Sequence, residues 1–155
     1  MQAFTSLGLS EPVASALTSF GFDAPTPVQA IAIPEVLSSA NLYISSATGT
    51  GKTFAYMAPI VSSIDSANPA LQALIIAPTH DLGAQLFREA ERLVKASGTG
   101  IRIAQALGSM PLSRQLEKLS VKPHIVIGSA GRVRDLIAKR ELDQRHCRWT
   151  VLDEG

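Results

Sequence analysis

The chain has 155 residues, 46% hydrophobic and 17% charged, enough apolar material for one domain with a real core; a disordered tail, a collagen-like repeat and a coiled coil are excluded. With 14 Lys and Arg against 13 Asp and Glu the net charge is +1, so any nucleic-acid binding has to come from local groups rather than a global field. The single cysteine, Cys147, excludes an intrachain disulfide and a cysteine-based zinc site. The start, Met1-Gln2-Ala3-Phe4, lacks the basic stretch and apolar run of a signal peptide, and nowhere do 18 apolar residues run together, which points to a soluble, cytoplasmic protein.

Residues 1–40 read as helical. Ser10 is placed to cap a first helix running to about Phe20, with Pro12 tolerated in its first turn. In Gly21-Phe22-Asp23-Ala24-Pro25-Thr26-Pro27-Val28-Gln29, Thr26 followed by Pro27 and then Gln29 predicts a second helix start with a capping box. From residue 41 onward short apolar, β-branched runs alternate with helical patterns. The predicted strands are Leu42–Ser45, Ala73–Ala77, Ile101–Ala106, His124–Ile127 and Trp149–Leu152; the predicted helices are Lys52–Ile64, Asp81–Ala96, Leu112–Leu119 and Gly131–Lys139. Several strand runs are apolar without a break, as strands buried on both faces of a parallel sheet are. The expectation is a doubly wound α/β sheet with helices on both faces, right-handed crossovers and ligands beyond the carboxyl ends of the strands. Residues 1–40 would pack on a core formed by 41–155.

Ser46-Ala47-Thr48-Gly49-Thr50-Gly51-Lys52-Thr53 follows the first predicted strand and opens a helix, the context of a Walker A loop. Its glycines let consecutive backbone N–H groups turn inward around phosphate oxygens, and the helix start adds its positive dipole end. Lys52 would reach the β and γ phosphates and the Thr53 hydroxyl would ligate Mg²⁺. Ser46 stands where the usual pattern begins with Gly. The bland alternative, a glycine-rich βα turn without a ligand, loses weight because strand, loop, lysine, threonine and helix agree. At the end of the last apolar run, Asp153 is the natural metal partner, and Glu154 could orient or deprotonate an attacking water.

Together these residues resemble the amino-terminal RecA-like domain of a DEAD-box RNA helicase, from Phe4 to the last residue. Gly21–Gln29 is similar to that family's Q motif, with Phe4 in the place of its isolated upstream aromatic. The resemblance implies that Gln29 reads the adenine edge with help from Thr26, while Phe4 or Phe22 packs near the ring or supports the motif; glutamine carries both the donor and the acceptor adenine requires. A plain helix cap is the competing role for Thr26 and Gln29, worth about 1 kcal/mol. Ser46–Thr53 is similar to motif I, with Ala47, Thr48, Gly49, Thr50, Gly51, Lys52 and Thr53 around ATP. Asp153-Glu154-Gly155 resembles the opening of motif II, with Gly155 where the name-giving pattern has Ala.

The RNA-facing motifs are less faithful. Pro78-Thr79-His80-Asp81-Leu82-Gly83 takes the place of Pro-Thr-Arg-Glu-Leu-Ala, so an imidazole replaces a permanent cation with a five-donor fork. Leu107-Gly108-Ser109 stands where a Gly-Gly pair belongs, and Ser129-Ala130-Gly131-Arg132 where Thr-Pro-Gly-Arg belongs. The resemblance implies that Pro78, Thr79, His80, Gly108, Gly131 and Arg132 touch the sugar-phosphate backbone without reading sequence, more weakly than in the family at large. It also implies ATP hydrolysis with Mg²⁺, catalysis by Lys52 and Glu154, and a second RecA-like domain beyond Gly155. The chain by itself is expected to be monomeric and nearly inactive. Two alternatives are a nucleotide-binding scaffold with reduced RNA binding and another superfamily-2 ATPase acting on nucleic acid. Lys139, Arg140, Arg145, His146 and Arg148 fit a solvated loop, Arg88, Glu89, Glu91 and Arg92 an exposed helix face, and Cys147 a packed thiol beside Trp149.

Overall fold

The computed structural model describes residues 3–38 and 41–154. They fall into two compact units: the stretch up to Ile64 together with Arg92–Thr99, and Asp65–Glu91 together with the stretch from Gly100 onward. The boundary expected at residue 40, the leading Met1 and Gln2, and Gly155 lie outside the described residues.

In the first unit a 3-10 turn at Phe4–Leu7 precedes α1 (Glu11–Ser19), α2 (Pro27–Leu37) and α3 (Lys52–Ser63). Ser10 takes the N-cap position of α1 as expected, but its hydroxyl does not cap; it lies 3.3 Å from the Ser62 hydroxyl of α3, which also accepts the Ser10 N–H at 3.2 Å. Both α1 and α2 pack on α3, burying Val13, Leu17, Ile33, Met57 and Ile60. Phe54 of α3 receives Phe22 edge-on, with centroids 5.6 Å apart, and Phe20 tilted at 6.2 Å. The Arg92 guanidinium sits 3.7 Å over the Phe20 ring, so this exposed residue also covers apolar surface.

The predicted strand Leu42–Ser45 does not form. An apolar run becomes a strand only when a neighbouring ladder takes up its main-chain groups. Among the described residues no strand pairs with it, and Leu42 and Tyr43 are 42% and 92% exposed.

The second unit holds a four-stranded parallel sheet of β1 (Ala73–Ala77), β2 (Ile103–Ala106), β3 (Ile125–Ser129) and β4 (Trp149–Leu152), ordered β2-β3-β1-β4. Its helices are α4 (His80–Ser97), which runs on into Arg92–Thr99, α5 (Leu112–Leu119) and α6 (Ala130–Ala138). These bounds follow the sequence expectation closely, with β2 two residues shorter at its start and β3 starting one residue and ending two residues later. Leu74, Ala104, Ala106 and Val126 on one face of the sheet form a core with Leu119 of α5 and Val133 and Leu136 of α6. On the other face Ala73, Ile75, Ile125 and Ile127 are buried as well, which accounts for the unbroken apolar runs. β4 pairs with β1 alone, and Thr150 and Leu152 stay exposed.

Gly128 of β3 is fixed by close approach: a Cβ there would lie 2.5 Å from the Ala106 carbonyl oxygen and 2.8 Å from a Val133 methyl. Cys147 packs against the same core, and burial pushes its thiol up to about 11, as a packed rather than a reactive cysteine requires. In the basic loop the Arg145 fork grips Asp143 through contacts of 2.7 to 3.1 Å, holding that carboxyl well below the usual carboxylate range, and Arg148 lies 4.6 Å over the Trp149 ring.

His124, fully buried just ahead of β3, accepts the Arg102 N–H on Nδ1 at 2.9 Å, while its Nε2 has no hydrogen-bond partner among the described residues. Burial first, and then the Arg102 charge, hold its pKa below the ordinary 6.5, against weaker opposing pulls from the Ser66 and Asn68 main chain and from Asp65. The unfolded chain therefore takes up a proton near pH 6.5 that the folded chain refuses. Stability is complete above that pH and falls as the pH drops below it. Thermal unfolding should show Tm declining from pH 7.5 to 5.5, with a flatter decline in His124→Asn; an unchanged slope in that variant would contradict the assignment. Gly128→Ala should lower stability by about 1–3 kcal/mol through overpacking, read as a lower denaturation midpoint.

Candidate functional site

In the first unit the turn before α2 and the loop before α3 meet. The expected capping box is present: the Thr26 N–H donates to Gln29 Oε1 at 3.0 Å, and the Gln29 N–H reaches the Thr26 hydroxyl at 3.4 Å. Gln29 is 1% exposed, and its Nε2 donates to the Gly51 carbonyl at 3.1 Å. The cap and the phosphate loop are thus joined by one side-chain amide. Gly51 caps α3 with φ +88°, and a Cβ there would fall 2.5 Å from Gln29 Nε2 and 3.3 Å from Thr26 Oγ1. Only glycine meets both demands, left-handed backbone and close approach.

The rest of the loop is braced from inside. The Thr50 hydroxyl donates to the Ala47 carbonyl at 2.7 Å and lies 2.8 Å from the Ser46 hydroxyl. Ser46, the departure from the usual first glycine, therefore has a contact that a glycine lacks. Gly49 turns the loop with φ +78°. Lys52 and Thr53 follow in the first turn of α3, where no side chain caps the leading amides, an arrangement that fits phosphate oxygens and a hydroxyl-bound cation. Phe22 packs on Phe54 rather than standing free, and Phe4 is buried.

In the second unit the loops at the carboxyl ends of the strands carry the other candidate residues. After β1, Pro78, Thr79 and His80 are exposed, and the Thr79 hydroxyl accepts the Leu82 N–H at 3.2 Å, capping α4. After β2, Gly108 turns so that a Cβ would lie 3.3 Å from His80 Nε2 and 4.0 Å from the Ser129 hydroxyl. After β3, Ser129 is the N-cap of α6 without a side-chain cap bond, and Gly131 faces open space, with nothing within 4 Å of a Cβ. Arg132 reaches back to the loop after β2, donating from Nη1 to the Met110 carbonyl at 3.0 Å and from Nη2 to the Gly108 carbonyl at 3.3 Å. Gly108, His80, Ser129 and Arg132 thus converge. After β4, Asp153 is nearly buried and its N–H extends the ladder to the Ile76 carbonyl at 2.9 Å, while Glu154 is exposed.

The model of the DEAD/DEAH box helicase family matches residues 26–155. The chain belongs to that family. Curated relatives include the DEAD-box ATP-dependent RNA helicase CshA of Geobacillus kaustophilus, 36% identical over the whole of this chain and 33% of its own length. The ATP-dependent RNA helicase CshA of Limosilactobacillus reuteri is 37% identical over 98% of this chain and 30% of its own. The chain therefore spans about a third of the length of these helicases. Among solved structures, a DEAD box protein from the hyperthermophile Methanococcus jannaschii superposes with a TM-score of 0.91 at 30% identity, over 99% of this chain and 42% of that one. A hypothetical ATP-dependent RNA helicase from Sulfolobus tokodaii gives 0.82 at 27% identity, over 94% and 41%. The parallel sheet and its helices are the RecA-like fold of DEAD-box domains.

One residue bonded to Arg132 escaped the sequence reading. Gln115 is fully buried, and its Oε1 accepts Arg132 Nη1–H at 2.7 Å. Its signal was present: Gln115 lies on the face of α5 marked by Leu112, Leu116 and Leu119, where a polar side chain has to be paired.

The Gln29 tether can be separated from the cap. Gln29→Glu keeps an oxygen for the Thr26 N–H but sets another against the Gly51 carbonyl. Hydrogen exchange of residues 48–53 should quicken by about tenfold while the Thr26 amide stays protected. Equal loop protection in both proteins would remove the tether.

Proposed function

We propose that the chain is the ATP-binding domain of an ATP-dependent RNA helicase, which unwinds or remodels RNA duplexes using ATP hydrolysis. The observation that carries this reading is the hydrogen bond from Gln29 to Gly51, because it joins the residue with adenine's complementary donor and acceptor to the loop with a phosphate-cradling backbone. A cap alone would not need that bond. Gln29 and Thr26 then read the base, Phe4 and Phe22 support them, and Ala47 to Thr53 hold the phosphates.

In this reading Lys52 neutralises charge on the β and γ phosphates, and Thr53 and Asp153 hold Mg²⁺. When bound, Mg²⁺ would supply positive charge against the charge that develops on the phosphate. Glu154 accepts the proton of the attacking water. Pro78, Thr79, His80, Gly108, Gly131 and Arg132 take the RNA backbone, whatever its sequence. Support comes from the convergence of His80, Gly108 and Arg132, and from the open space at Gly131, where the fold alone asks for no glycine. No helix among the described residues is long and apolar enough to cross a membrane, which agrees with work on RNA in the cytoplasm.

The partner of this domain is a second RecA-like domain of a longer parent. Arginines supplied to the transferring phosphate in related systems are worth about 10³ to 10⁵ in rate, so the 155-residue chain, a monomer in this reading, should bind nucleotide with almost no RNA-stimulated turnover. Calorimetry with Mg²⁺-ATP and Mg²⁺-GTP is the test. We expect ATP to bind better, Gln29→Ala to erase the preference, and Lys52→Ala to weaken binding by about tenfold or more. Base-blind binding that survives Lys52→Ala would overturn the reading, as would robust RNA-dependent hydrolysis by the chain alone.

A further inference from the structure

Gln115 lies under the Gly108 loop with none of its surface exposed. Its Nε2 donates to the Gln105 carbonyl of β2 at 2.7 Å and lies 3.7 Å from the Met110 sulfur, while Oε1 accepts from Arg132 at 2.7 Å. Only an amide of this length does both. Glutamate would lose the donor, leucine both bonds, and asparagine the reach. Enclosing an amide among Leu112, Leu116 and Leu119 is costly unless its bonds are made, so both partners act to fix it.

The consequence falls on Arg132. Of the five guanidinium donors, both on Nη1 are engaged, with Met110 and Gln115, and one on Nη2 with Gly108. Nε–H and the second Nη2–H remain without a protein partner among the described residues. That pair can meet two oxygens of one phosphate at once.

We propose that Gln115 is a positioning residue, which holds Arg132 so that its two remaining donors are presented together to an RNA phosphate. The proposal rests on Arg132 touching RNA in the reading above. A merely structural amide would brace β2 and the loop without altering how many phosphates the protein neutralises.

Binding of a fluorescent single-stranded RNA to the chain, followed by anisotropy over a salt series, separates these roles. Arg132→Ala should bind about tenfold more weakly and lower the salt slope by about 0.7, the loss of one phosphate contact on a single strand. Gln115→Leu should reproduce most of both effects although it carries no charge, and the double variant should be no worse than Arg132→Ala. If Gln115→Leu keeps the original slope while Arg132→Ala loses it, the positioning role is overturned and the RNA reading of Arg132 stands. If Arg132→Ala changes neither quantity, or the unaltered chain does not bind, that reading fails and the proposal with it. Should Gln115→Leu not unfold cooperatively, Gln115→Met, closer in shape, carries the same comparison. If neither variant folds, the amide serves the fold itself and the proposal is overturned.

Discussion

The Gln29 side chain makes its two bonds in opposite directions along the chain, back to the Thr26 N–H and forward across 22 residues to the Gly51 carbonyl. A capping box is a local device, formed by any helix start with suitable residues. The forward bond makes it a tertiary one. Gly51 closes the phosphate loop and opens α3, so the loop, the helix start and the preceding turn share one geometry. The left-handed Gly51 and its clearance from Gln29 are two sides of the same constraint: a side chain at 51 would both strain the backbone and displace the amide. The turn before α2 and the loop before α3 are thus held together by a contact within the protein itself.

The sheet of the second unit uses a comparable economy. Parallel strands buried on both faces leave chemistry only at their ends, and the carboxyl ends of β1, β2 and β3 deliver His80, Gly108 and Arg132 into one neighbourhood. Small residues make that delivery possible. Gly128 lets β3 lie against Ala106, and Gly83 of α4 leaves room for the Leu107 side chain, which would otherwise be met by a Cβ at 2.7 Å. Arg132 then spends much of its hydrogen-bonding capacity on the loop itself. Arg132 used in this way is scaffold for the loop, and its partner Gln115 is buried and polar at once.

How much of this was legible depended on whether the cause was local. The helix bounds, the Thr26–Gln29 box and the four strands follow from periodicity, caps and apolar runs, and the structure has them within a residue or two. Leu42–Ser45 reads as a strand by the same rule and is not one, because strand formation is a relation to a neighbour and no described strand provides it. Ser10 shows the same limit on a smaller scale: its position at the cap was readable, but its hydroxyl prefers Ser62, 52 residues away. The loop before α3 was readable as a glycine turn that opens a helix at Lys52, because both signals are local. Gln115 and His124 were not singled out, since a buried polar residue declares itself in sequence only as a misfit on an apolar face or beside a strand.

β4 has a paired side and an open one. Its outer main-chain groups face no ladder among the described residues, and Thr150 and Leu152 project beside them without a charge or a proline to deter an incoming strand. The net charge of +1 offers little mutual repulsion between molecules near neutral pH. An open edge of this kind, like that of β2 at the other side of the sheet, offers main-chain groups on which an extended segment can pair.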